Sequence, residues 1–305
     1  MKIVVTGGAG FIGSHVADAY VKAGHRVLVI DNLSSGSRSN VPAKAKFYNA
    51  DIRDEVAINR IFLKERPEVV NHHAALISVT ESVKKPEETF ATNVTGTLNV
   101  LLAFARHGRG KRKFLFSSTG GAIYGNPKKL PADESTPPHP LSPYALSKYI
   151  DEQMTAYYCD AYRIPYLIFR YANVYGPHQR AQGGAGIFPT FIRKMRRGAI
   201  PVIFGDGKKT RDYVYVGDVA RANLLGLRRG AREIINIASG RETSDYEIFK
   251  SLVRATGFRK QPRYTPQRKG EVKRIAMNFA KAKRLIGWTP KTPLKEGVQK
   301  TVNAF

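Results

Sequence analysis

The 305-residue chain has a single cysteine, Cys159, so no intrachain disulfide is possible. No apolar run approaches the roughly 18 residues of a membrane-spanning helix. The opening run Met1–Val5 turns polar at Thr6. That is too short for a signal peptide and predicts a first strand instead, so a cytoplasmic protein is expected. No internal repeat, low-complexity tract or zinc-ligand spacing is present, and no metal is expected. What is scarcest is acid. Asp and Glu number 24 against 50 Lys and Arg, a net charge of +26. From Lys250 to Phe305, 15 basic residues face only Glu271 and Glu296. Such a surface can bind nucleic acid, steer an anionic substrate or simply be solvated. The lack of a helix-turn-helix, zinc-ligand or aromatic RNA-binding signature argues against nucleic acid.

What is present is alternation. The length allows one large domain or two smaller ones. Strands are predicted at Lys2–Thr6, Arg26–Asp31, Lys46–Asp51, Val69–Ala75, Lys113–Thr119 and Tyr166–Tyr171. Helical patterns lie between them at Phe11–Ala23, Asp54–Arg66 and Glu87–His107. The strands are nearly continuous apolar runs, as in sheets covered on both faces. This predicts an α/β fold with a doubly wound parallel sheet of the Rossmann type. Past Tyr171 the alternation stops, and Gly, Pro and basic residues become frequent. A boundary is therefore expected at 172/173. Residues 1–172 would form the Rossmann domain and residues 173–305 a smaller substrate-binding domain, part of it crossing back to the first.

Thr6-Gly7-Gly8-Ala9-Gly10-Phe11-Ile12-Gly13 joins the first strand to the first helix. Gly7 permits a tight turn, Gly10 a close approach of backbone to pyrophosphate, and Gly13 close packing of helix on sheet. The helix N-terminus adds free N–H groups and partial positive charge. Asp31 ends the second strand, where a carboxylate accepts hydrogen bonds from both ribose hydroxyls and repels a 2′-phosphate. The pattern predicts NAD rather than NADP as cofactor.

Ser142-Pro143-Tyr144-Ala145-Leu146-Ser147-Lys148 is the other informative segment. Ser-Pro suits a helix start. Tyr144 and Lys148 are then i and i+4 on one face. A nearby ammonium lowers a phenol below its usual value of about 10, which makes Tyr144 a candidate base. The fifth strand ends in Ser117-Ser118-Thr119 at the sheet edge where ligands bind. Thr119, with Ser118 as second candidate, completes a hydroxyl–Tyr–Lys triad.

With the glycine turn, these residues resemble the extended short-chain dehydrogenase/reductases, and among them most closely the UDP-glucose (UDP-galactose) 4-epimerases. The resemblance spans essentially the whole chain. It implies cofactor contacts from Gly7, Gly10, Phe11, Ile12, Gly13, Asp31, Asn32, Asp51, Ile52, His73, Ala74, Ala75, Asn93, Tyr144, Lys148 and Tyr171. It implies substrate contacts from Thr119, Asn173, Ile187, Phe204, Arg211, Arg268 and Glu271. Arg211 and Arg268 would grip a diphosphate, Phe204 would pack on uracil and Glu271 would lie near the uridine ribose. Lys269 stands where that family usually has proline, and Ile275 lies near the position tied to N-acetyl tolerance.

The implied activity is interconversion of UDP-glucose and UDP-galactose with tightly held NAD. Tyr144 would take the 4-hydroxyl proton and a 4-keto sugar would form transiently. A UDP-sugar substrate and a homodimer are implied partners. Related 4,6-dehydratases and decarboxylases carry an acid beside the Ser/Thr. Here Gly120-Gly121 stands there, which favours epimerisation. GDP- and dTDP-sugars, and a non-catalytic binding protein, remain alternatives.

Overall fold

The computed structural model describes residues 1–180, 186–266 and 272–305. Its first half runs β1 (Lys2–Thr6), α1 (Phe11–Lys22), β2 (Arg26–Asp31), β3 (Lys46–Asn49), α2 (Glu55–Glu65), β4 (Val69–His72), α3 (Val79–Lys84), α4 (Pro86–Phe90), α5 (Gly96–His107), β5 (Lys113–Thr119), α6 (Gly120–Ile123), α7 (Pro143–Ala161) and β6 (Tyr166–Tyr171). These six strands and Glu233–Ile237 form one wholly parallel sheet. From one edge the order is β3, β2, β1, β4, β5, β6 and Glu233–Ile237. That is the doubly wound order, with its reversal point between β1 and β4.

The strands are apolar throughout because both faces are covered. Val4, Leu28, Ile30, Val70, Phe114, Phe116 and Ile168 point to one core, which includes Ile58, Phe62 and Phe104. Ile3, Val5, Val27, Val29, Leu115, Leu167 and Phe169 point to the other, which includes Val16, Tyr20, Val219 and Trp288. A third core, around Phe188, Phe191, Tyr213, Ile248 and Leu252, holds the second half together. Among its described residues that half has short two-stranded ladders besides its helices, and its strand Glu233–Ile237 returns to the main sheet. No helix among the described residues is long and apolar enough to cross a membrane.

Several predicted boundaries moved. β3 stops at Asn49 because Asp51 turns the chain, its carboxylate accepting the Arg53 N–H at 2.8 Å. β4 stops at His72, where Thr6 Oγ1 accepts the N–H groups of His73 and Ala74. The long helix predicted at 87–107 is α4 and α5 joined by a π-helical turn, Ala91–Thr95. Such turns often mark functional sites.

Candidate active site

All the sheet strands are parallel, so their carboxyl ends meet at one edge. At the end of β1, Gly7 has φ +68°, and a Cβ there would lie 2.7 Å from Ala74 N. A side chain on Gly13 would strike the Gly7 carbonyl oxygen. The turn is thus built backbone on backbone, and it leaves the first-turn amides of α1, Phe11 to Gly13, without intrahelical acceptors. Asp31 is buried at the end of β2. Its two oxygens accept N–H groups from Ala9 at 3.0 Å and Leu33 at 2.8 Å. Each oxygen keeps lone pairs beyond that single bond. A glycine cradle tied to a carboxylate at the next strand end fits a dinucleotide.

The neighbouring candidates divide into two groups. Asp51 accepts a two-point contact from the Arg53 guanidinium and a 2.9 Å bond from Asn32 Nδ2. The Arg53 bond, above all, pulls its carboxyl down to about 2. Ile52 is buried in the core. Asn93, inside the π-helical turn, reaches the edge, but its amide hydrogens are spent within the chain. Its Nδ2 donates to the Leu76 carbonyl at 3.1 Å and to Ser147 Oγ at 2.9 Å, and its Oδ1 accepts the Leu76 N–H at 2.8 Å. It clamps the segment after β4, which carries Ala74 and Ala75, to α7. His73 stacks on Tyr171, ring centroids 6.2 Å apart. Burial, and then Lys148, hold the His73 ring neutral with a pKa of about 3. Tyr171 is fixed from behind by Asn223 Nδ2, which donates to its hydroxyl at 2.8 Å.

The structure gives the three triad candidates the following surroundings. Ser142 caps α7, its Oγ accepting the Ala145 N–H at 3.2 Å, with Pro143 in the first turn. Tyr144 and Lys148 therefore face the same side. The Thr119 hydroxyl, in hydrogen-bonding reach of Tyr144, lowers its pKa, but burial dominates and pushes the phenol up to about 12. The sequence predicted a tyrosine made acidic by lysine. Burial instead sets the phenol, with Asp151 adding to the rise, and Lys148 Nζ lies 3.7 Å from the Asp151 carboxylate. Ser118 points the other way, donating to Glu152 Oε1 at 2.6 Å inside a buried network. Arg170 binds the same Glu152 through Nε at 2.9 Å and Nη2 at 2.6 Å, and donates to the Tyr124 hydroxyl at 3.1 Å. Sequence reasoning missed this network, and Asp151 too. A charge at i+3 or i+4 from lysine reads as an ordinary helix-surface pair.

Gly120 and Gly121 are glycines for steric reasons. A Cβ on Gly120 would run into Met277 Sδ, and one on Gly121 would stand 2.9 Å from Asn173 Oδ1. A side chain at either position would have to displace the end of Met277 or Asn173. This contact also brings the substrate candidate Asn173 to the triad. Asn173 pairs in register with Tyr213, two residues after Arg211. Arg211 donates from Nη1 to the Thr210 carbonyl at 2.8 Å. Phe204 is half-buried at the end of the strand Val202–Phe204, and Ile187 opens the helix Ile187–Arg196. Arg268, Lys269 and Glu271 lie outside the described residues. Ile275 is buried in the core around Met277 and Trp288. Among the described residues no cluster of metal ligands occurs.

The sequence matches the NAD dependent epimerase/dehydratase family over residues 3–238. It is 47% identical over 301 residues to a putative UDP-glucose 4-epimerase of Methanocaldococcus jannaschii, covering 99% of this chain and 97% of that protein. The fold superposes with a TM-score of 0.97 on a UDP-glucose 4-epimerase of Thermotoga maritima solved with UDP-glucose, at 48% identity, covering 100% of this chain and 98% of that one. The TM-score is 0.94 against a Thermus thermophilus UDP-glucose 4-epimerase solved with NAD, at 39% identity, with 100% of this chain and 98% of that one covered.

Proposed function

The chain belongs to the NAD dependent epimerase/dehydratase family, and from that premise we propose that it interconverts UDP-glucose and UDP-galactose through a transient 4-keto sugar. The chemistry supplied by bound NAD is acceptance and return of hydride at sugar C4. The amides of the turn at Gly7, Gly10, Phe11, Ile12 and Gly13 would hold its pyrophosphate, Asp31 and Asn32 its adenosine ribose, and Lys148 the nicotinamide ribose. Asn173, Ile187, Phe204 and Arg211 would hold the nucleotide sugar.

Tyr144 Oη takes the proton from the 4-hydroxyl and later gives it back. Thr119 Oγ1 donates to the same sugar oxygen. Lys148, one turn along α7, supplies the positive charge that the buried phenol needs to ionise. The observation that carries the reading is Thr119 beside Tyr144, with only glycine following it. The proton can move at O4, while acid-assisted elimination has no acid beside Thr119. The exposed apolar side chains Leu146 and Tyr157 on α7 and Val83 on α3 support a homodimer through this face.

The decisive experiment uses the purified protein without added cofactor. UDP-galactose should appear from UDP-glucose, NAD should be released on denaturation, and light scattering should give twice the chain mass of 33.9 kDa. Absence of UDP-sugar turnover, with activity on GDP- or dTDP-sugars instead, would redirect the assignment. The two hydroxyls next to each other on β5 offer a sharper check. Thr119→Ala should lower kcat about 100-fold. Ser118→Ala should leave kcat nearly unchanged and cost about 1–3 kcal/mol of stability, because it strips a hydrogen bond from a buried carboxylate. The reverse pattern would exchange their roles.

A further inference from the structure

Tyr144, Lys148 and Asp151 stand at i, i+4 and i+7 on α7 and share one stripe. Asp151 is fully buried, and neither carboxylate oxygen has a hydrogen-bond partner. Buried carboxylates in that condition are rare, because nothing offsets their desolvation. This one lies 3.7 Å from Lys148 Nζ, which is itself buried and sits 4.0 Å from the centroid of the Phe116 ring. An aromatic face favours the ammonium form of lysine.

The other groups around the pair supply no free charge. Glu152, the next residue on α7, is matched by Arg170 on β6. His72 and His73, at the end of β4, are kept neutral, chiefly by burial. The Thr97 hydroxyl on α5 is paired with His72 Nε2 at 2.9 Å and carries no charge. The charged residues of α3 and α4 and the residue between them (Glu81, Lys84, Lys85, Glu87 and Glu88) are exposed.

We propose that Asp151 is the counter-ion that keeps Lys148 protonated inside the site, and that through Lys148 it governs the ionisation of Tyr144. It is a positioning residue, and the second half of the inference rests on Tyr144 being the base. Burial drives Lys148 down and Asp151 up, toward their neutral forms. The carboxylate and the Phe116 face oppose this. Asp151 also raises Tyr144 directly. Seven helical residues put about 10 Å between them, and Coulomb energy falls with distance. Remove the carboxylate, and a buried ammonium without a counter-charge loses its proton near neutral pH. Tyr144 then lacks its cation and ionises only at higher pH.

The test compares Asp151→Asn with the wild type as NAD-loaded protein. The lysine Nζ resonance of Lys148 is followed by NMR and assigned with Lys148→Met. Its titration midpoint should fall by about two units or more in Asp151→Asn. The acid limb of the kcat profile should move up by about one unit, with turnover recovering at high pH. If Asp151→Asn does not fold, Asp151→Thr carries the same expectation. An unmoved Lys148 midpoint, or an acid limb shifted to lower pH, overturns the proposal. A shifted Lys148 midpoint in a protein that turns over no UDP-sugar upholds the counter-ion role and overturns the epimerase reading.

Discussion

Replacing Tyr144 by Phe should abolish interconversion of UDP-glucose and UDP-galactose, lowering kcat by about 1,000-fold or more, while the protein stays folded and keeps its NAD. The substitution removes one hydroxyl and no packing. Among the described residues the hydroxyl's hydrogen-bond partner is Thr119, so the stability change should stay near 1 kcal/mol. Lys148 and the glycine turn are untouched, so cofactor content should match the wild type. No other side chain can take over. Ser118 is committed to Glu152, and burial keeps His73 a weak base, its pKa about 3. Ser117 Oγ lies 3.3 Å from the Tyr171 hydroxyl. The measurement is kcat on UDP-galactose, alongside NAD released on denaturation and the circular dichroism spectrum. Full turnover by the folded, NAD-loaded variant would remove Tyr144 from the mechanism. Loss of NAD together with activity would instead make Tyr144 a binding residue.

The features most legible in the sequence were those fixed by backbone geometry. The spacing of Gly7, Gly10 and Gly13 has few other uses, and the structure shows why, since side chains at Gly7 and Gly13 would collide with main chain. The six apolar strands were legible because a sheet covered on both faces demands them. What stayed hidden were contacts between residues distant in the sequence. Nothing near Arg170 indicates that its guanidinium turns inward to Glu152, 18 residues away, when the surrounding motif implies a substrate-facing surface. Asn93 stood out only as a cofactor candidate, and its bonds to Leu76 and Ser147 depend on a π-helical turn that no periodicity announces. The reason for Gly120 and Gly121 lies in Met277 and Asn173, far along the chain. Local chemistry was readable, and the partners that orient it were set by the fold.

The buried pair Glu152–Arg170 leads to the largest expected loss of stability. Glu152→Ala leaves the Arg170 guanidinium in the core with only the Tyr124 hydroxyl as acceptor, and takes away the acceptor of Ser118. Breaking a buried ion pair from one side costs about 3–5 kcal/mol. For a chain of this length that means a fall in Tm on the order of 10 °C. The loss should arise mainly from the stranded charge, so the double variant Glu152→Leu/Arg170→Met should recover most of it. A cycle with both single variants, read by urea denaturation, separates the two contributions. The same pair joins α7 to β6, four residues beyond the base-carrying stretch that ends at Lys148. Near the variant's lowered Tm, kcat should therefore fall before global unfolding, whereas at low temperature it should stay close to wild type. A Glu152→Ala protein as stable as the wild type would mean that Arg170 finds another partner. One that is stable yet inactive at every temperature would move Glu152 from the scaffold into the reaction.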